Sequence, residues 1–255
     1  NNGFYKTSGR IENTVPKKKS LLETLKDEAV IDNVASKYVE ASTGIDFGNI
    51  SSDTNGKGLY VRSGTENDEY PIMYYRGDIT NNNVLFANFC WKIVRTTELG
   101  GMKLIYNGSP NNNQCDNTGT ATQIGTSAFN SNFNNRKYVG YMYNDKMSTS
   151  QHGDTESIIK TVIDTWYKTN MDDKGYTKYL EDTVWCNDRS VVMLGNGYAN
   201  YGSYKRTFID ASPQLKDDKM CTNQQDRYTV NDTEKGNGAL TYPVSLLTVD
   251  ELFTS

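Results

Sequence analysis

Short runs of alternating apolar and polar residues, broken by Asn, Asp and Gly, fill the middle of the chain, and one longer run with helical spacing follows them. From Gly58 onward the segments LYVR and YPIMYY have the β-branched and aromatic content of half-buried strands. The segment VLFANFCWKIVRTTELGGMKLIYNGS, residues 84–109, predicts a β-hairpin. Val84, Phe86, Trp91, Ile93, Leu104 and Tyr106 are its strand-forming positions, and Gly100-Gly101 can take the positive φ angles of a tight turn. This hairpin is the expected spine of the fold.

Helical signals flank the strands. Ser20-Leu21-Leu22-Glu23 is a capping box, in which hydroxyl and carboxylate satisfy backbone donors reciprocally, and Leu21, Leu25 and Ala29 then share a face. Asp32 is placed to cap a second short helix through Ala41, closed by Gly44. Further on, Asp154 is the expected cap of a helix running to about Asn170. Ile158, Ile159, Val162, Ile163 and Trp166 form its core-facing stripe, with Lys160, Asp164 and Lys168 on the solvent side. YLEDTVWCND and ALTYPVSLLTVDEL read as strands or strand-to-helix transitions. The fold class is α+β: short N-terminal helices and one amphipathic helix packed on antiparallel strands and hairpins.

With 255 residues and no shift in composition, the chain divides into an N-terminal tether, 1–19, and a single α+β domain, 20–255. The run Lys17 to Lys19 belongs to the solvated tether. A net charge of -4 and a pI near 5.2 argue against nucleic acid as a partner, because phosphate backbones need a basic footprint. No segment reaches the roughly 20 apolar residues of a membrane helix, so no membrane insertion is expected. The first residues lack the apolar core of a signal peptide, and any export signal is expected to have been removed.

Cys90, Cys115, Cys186 and Cys221 contain no CxxC pair and match no zinc spacing with the sole histidine, His152. Disulfides are the better reading, and three pairings are open. The sequential one, Cys90 with Cys115 and Cys186 with Cys221, would restrain loops by about 3–4 kcal/mol each. Bridges imply an oxidising, extracellular location.

Catalytic signals are sparse. His152 lies in a polar loop, no nucleophile elbow or phosphate loop occurs, and a triad would rest on that one imidazole. The carboxylate pairs Glu181-Asp182 and Asp250-Glu251 keep glycosidase chemistry open as an alternative. Adjacent strand residues point oppositely, however, so each pair reads as one surface carboxylate and one that caps or salt-bridges. No cofactor is expected. Calcium is the one ion to consider, at Asp53-Thr54-Asn55-Gly56 and Asn231-Asp232-Thr233-Glu234, where Asx-turn chemistry is the competing account. Tyrosines offer binding surface instead: Tyr198, Tyr201 and Tyr204 in the Gly-rich GNGYANYGSYKR, and Tyr141 and Tyr143 in YVGYMY beside Tyr138.

The motifs NNNVLFANFCWKIVRTTELGGMKLIYNG, IGTSAFN, YVGYMYN, YLEDTVWCNDRS and LTYPVSLLTVDEL together resemble a large family of surface proteins from gut Firmicutes, over a match from about Leu21 to the C-terminus. The resemblance implies an exported module of a bacterial cell surface with a C-type-lectin-like, formylglycine-generating-enzyme-like core. Family members continue past the equivalent of LLTVDEL into a final strand, so this chain is expected to lack that strand. The catalytic cysteines of formylglycine enzymes map to no position here. The expected function is an adhesin-like, non-catalytic binding module for a host glycan or a host protein such as immunoglobulin. A structural surface or fibre subunit, with self-association, is a further alternative.

Overall fold

The computed structural model describes residues 5–7, 10–12, 58–62, 72–77, 79–80, 82–97, 99–131, 138, 140–143, 155–188, 191–193, 199–201 and 223–254. They form an α+β arrangement of antiparallel strands with few helices. The expected helices at 20–41, the tether lysines, Asp53 to Gly56 and His152 lie outside the described residues.

Strands β1 (Tyr5–Thr7) and β2 (Arg10–Glu12) pair with each other. The main sheet has five strands: β3 (Gly58–Arg62), β4 (Ile72–Arg76), β5 (Asn83–Phe86), β6 (Phe89–Thr96) and β7 (Met102–Tyr106). At 8 residues β6 is long enough to be shared. One of its edges takes β5, from Asn83↔Lys92 to Phe86↔Phe89, and then β4 at Tyr74↔Arg95. The other edge takes β7, from Trp91↔Tyr106 to Thr96↔Met102, with a register shift between Ile93 and Arg95.

The sequence predicts one hairpin here and the structure has two. The turn into β6 is Ala87-Asn88, both left-handed at φ 54° and 65°, the geometry of a two-residue turn that follows strand twist. The pair lacks the glycine that normally marks such a turn, although Asn tolerates the left-handed region well. The second turn is the expected one. Gly100 takes φ 85°, while Gly101 lies against the Glu181 carboxylate, which a side-chain carbon there would displace.

The sheet buries Leu59, Met73, Tyr75, Ile79 and Ile93 as one core, against which Val84, Met102 and Leu104 pack. A second core gathers Tyr141, Met142, Ile163, Trp185, Tyr228 and Leu240. Short pairs frame it: β8 (Met142–Tyr143) with β9 (Thr155–Glu156), and β10 (Trp185–Cys186) with β13 (Arg227–Tyr228). Strands β11 (Val191–Met193) and β12 (Ala199–Tyr201) form a separate hairpin.

Helix α1 (Ile158–Tyr167) runs into a π-helical turn at Lys168–Asp172. Its cap is Ser157, whose Oγ accepts from Lys160 N at 3.1 Å, not Asp154. The orientation of α1 also differs from expectation. The line facing the core is Lys160, Ile163 and Tyr167, one position round the helix from the apolar stripe. Lys160 is 0 % exposed, and its Nζ donates to Glu156 Oε1 at 2.8 Å and to Asp164 Oδ2. Carboxylates one turn either side supply the pairing that lets the ammonium be enclosed. Ile158 and Val162 are left exposed, and Trp166, expected in the core, is half-buried.

Helix α2 (Val249–Thr254) begins with a capping box: Glu251 N donates to Thr248 Oγ1 at 3.1 Å and Thr248 N to Glu251 Oε2 at 3.0 Å. Among the described residues no helix is long and apolar enough to cross a membrane.

Candidate functional site

The displaced stripe of α1 forms one wall of a cleft of about 450 Å3. Its lining comprises Ile159, Val162, Ile163 and Trp166 of α1, strand β7, Val244, Leu246 and Leu247 of the C-terminal segment, and the loop from Thr122 to Ser127. Val162 is 39 % and Ile105 is 42 % exposed, so apolar area stays open to solvent inside a concave, largely apolar surface, the usual form of a ligand site.

Aromatic packing fixes the rigid end of the cleft. Phe89, Trp91, Tyr106 and Trp166 are all half-buried, and every pair among them has ring centroids between 5.2 and 6.4 Å apart. The contacts are edge-on or tilted, the arrangement that ring quadrupoles favour. Strand register places Trp91 opposite Tyr106, and the helix delivers Trp166 onto both. Next to this group Phe86 meets Tyr176 at 5.9 Å.

The opposite end is polar. Gly101 N donates to Thr97 Oγ1 at 2.9 Å, and that hydroxyl donates to Glu181 Oε2 at 2.9 Å. Lys103 also lines the cleft, but its ammonium is committed elsewhere: to Glu251 Oε1 at 3.0 Å, to Val184 O at 2.8 Å, and over the Trp185 ring at 4.4 Å. Glu251 accepts from Arg95 Nε as well, at 3.0 Å. Burial acts to raise its pKa, but Lys103, Arg95 and the Thr248 N–H outweigh it and hold the carboxyl at about 2.

The disulfide Cys90–Cys115 holds the loop that flanks the cleft, with Cα atoms 5.6 Å apart. Asn117 Nδ2 folds the same loop by donating to Asn107 O at 2.9 Å and Ser109 O at 2.8 Å. This bridge is half of the sequential pairing. Cys186 is disulfide-bonded too, while Cys221 lies outside the described residues.

The expected tyrosine sites fare differently. Tyr141 is 4 % exposed, enclosed in the second core with Lys160 Nζ 5.9 Å from its ring centroid; burial first, then Asp164 and Glu156, push its pKa up. Tyr143 is half-buried and packs on Tyr138 at 5.1 Å. Tyr201 pairs with Val191 at the edge of β12, and Tyr198 and Tyr204 lie outside the described residues.

The carboxylate pairs have structural work. Asp182 accepts from the N–H groups of Val230, Asn231 and Asp232 at 2.7, 2.7 and 2.9 Å. Of the division of each pair into one surface carboxylate and one that caps or salt-bridges, Glu251 fits the second role, but Asp250, 1 % exposed, is not at the surface. At the candidate calcium turn, Asp232 Oδ1 accepts from Glu234 N and Lys235 N at 2.8 Å each, an Asx turn. The cleft itself was missed from sequence. Its signal was the stripe on α1, legible as apolar but carrying no mark that it faces open space.

No family model, curated protein or solved structure matches this chain.

Proposed function

We propose that this chain is a non-catalytic, adhesin-like binding module of a bacterial surface, extracellular and C-type-lectin-like, and that its recognition site is the cleft between α1 and β7. The observation that carries the reading is the helix stripe. Ile159, Val162 and Trp166 are apolar and partly open to solvent, and with Trp91 and Tyr106, on which Trp166 packs, they line a cleft of about 450 Å3. Rigid aromatic rings give large contact area at low entropic cost. The disulfide at Cys90–Cys115 supports an oxidising location, and the surface assignment rests on the family resemblance.

Between the two expected ligand classes, a host protein such as immunoglobulin fits better than a host glycan. Sugar hydroxyls entering a mainly apolar cleft would lose water without gaining enough partners, whereas apolar side chains of a protein would not. The test is binding of the oxidised protein to arrays of mucin glycans and secreted host proteins, with and without calcium, beside a Trp166→Ala variant. A saturable protein hit weakened by Trp166→Ala is expected. Silence on both arrays from folded protein overturns the reading, and concentration-dependent self-association would then favour a structural subunit.

A further inference from the structure

Among the described residues β7 is an edge strand, and the cleft reaches its open side. All five of its residues, Met102 to Tyr106, line the cavity. Successive strand residues point to opposite faces, so a cavity touching every one of them reaches the strand's edge; Phe86 and Trp91 line it too, so it also extends over the face that carries Tyr106. Backbone hydrogen bonds give the direction. Cys90 N donates to Gly108 O and Asn107 N donates to Cys90 O, both at 2.8 Å, so Cys90 faces the β7 side, whereas Ile93 N turns the other way to Asn82 O at 2.9 Å. Alternation then turns Lys92 toward Ile105, and leaves the N–H and C=O groups of Met102, Leu104 and Tyr106 pointing away from β6, into the cleft. Among the described residues, these outward groups have no backbone partner.

We propose that the β7 edge takes up an extended polypeptide strand from a partner protein, extending the main sheet and laying its side chains against α1. The proposal rests on the binding reading above and names the chemistry of its ligand. A row of unpaired strand donors and acceptors is met in full by another strand, and by neither a sugar nor a helix. Side chains of the added strand would alternate between Val162 and Trp166 on one side and the sheet's own flank on the other.

Two measurements test this. In amide hydrogen exchange of the free protein, Met102, Leu104 and Tyr106 should exchange much faster than Lys103 and Ile105; equal protection across β7 would show the edge already covered and overturn the proposal. In the second, a displayed library of short peptides alternating Val or Ile with Thr or Lys is panned against the oxidised protein. Captured peptides should protect the outward amides, bind about tenfold more weakly or worse to Val162→Lys, and fail when every second amide is N-methylated. Unchanged binding of the N-methylated peptides, or no capture at all, overturns strand addition. A protein-array hit lost in Trp166→Ala without strand-peptide capture would retain the binding module and reject only the strand; silence in both experiments would reject both.

Discussion

Lys103 Nζ lies 3.0 Å from Glu251 Oε1 with both side chains completely enclosed. The contact joins two parts of the chain 148 residues apart: the strand that edges the cleft and the cap of the C-terminal helix. Glu251 thereby serves three ends. It caps α2 through Thr248, pairs with both Arg95 and Lys103, and holds the lysine ammonium away from the apolar cleft. A buried acid holding two buried bases adds little net stability over an apolar core, but losing one member leaves charge without compensation.

Glu251→Ala is therefore expected to lower unfolding free energy by about 3–5 kcal/mol, as for removal of one partner of a buried ion pair. Urea denaturation measures it. Replacing Arg95 and Lys103 by Met in the same chain should recover part of the loss, because the two buried cations that Glu251 faced are then gone. A loss under about 1 kcal/mol for the single variant would place the pair in a wetter setting than its geometry shows.

The same carboxylate sets an acid limit. Its pKa in the fold is lowered from 4.5 to about 2, so the folded state binds its proton less readily than the unfolded chain. The stabilisation is fully present above pH 4.5 and drains away as pH falls from there toward 2. Acid titration of the fold by near-ultraviolet circular dichroism should show a transition in that window. Glu251→Gln should lose the part of it that this group supplies, with a flatter slope of stability against pH.

Tyr141 gives the opposite limb. Its hydroxyl is buried with no hydrogen-bond partner among the described residues, and its pKa is raised from 10.0 by burial, Asp164 and Glu156. Its contribution is whole below pH 10.0 and falls as pH climbs beyond, because the unfolded chain ionises first. Tyr141→Phe removes a desolvated group that makes no bond, so stability at neutral pH should hold or rise by about 1 kcal/mol. Thermal melts at pH 7 and above 10 check both statements; a marked loss at pH 7 would reveal a partner for the hydroxyl.

What sequence made legible was local. The alternation in LYVR, YPIMYY and the long hairpin segment marks strands where β3, β4, β6 and β7 lie, but it does not separate β5 from β6. Gly100 marks its turn. Ala87-Asn88 carries no such mark, because Asn does here what the signature assigns to glycine. Helix α1 was legible as a helix, but not which way it faces: Lys160 is enclosed by Glu156 and Asp164, and Val162 is left open, an outcome decided by Tyr141 and the distant strands. Thr248 to Glu251 has the capping-box pattern, yet nothing nearby announces Arg95, 156 residues away, as a partner. The cleft is harder still, since β7, α1 and the segment around Leu246 are brought together only by the fold.

Cys90–Cys115 closes a loop with a sequence separation of 25, and a chain-entropy estimate gives it about 3–4 kcal/mol of stability. Cys90 sits in the middle of the main sheet, completely buried and bonded through its backbone to Asn107 and Gly108, while Cys115 lies in the loop that leads to the Thr122–Ser127 side of the cleft. Breaking the bridge should thus act on two scales. A Cys90→Ala, Cys115→Ala variant is expected to lose roughly that 3–4 kcal/mol in urea denaturation, with the sheet retaining its strand signal under native conditions because the β6–β7 ladder does not depend on the sulfurs. The loop loses its anchor, so hydrogen exchange around Asn117 and Thr122 should rise well before exchange of the β6 amides does. Equal acceleration in both places would make the bridge a support of the whole sheet; no acceleration in the loop would leave Asn117 and its two carbonyl contacts sufficient to hold that wall of the cleft.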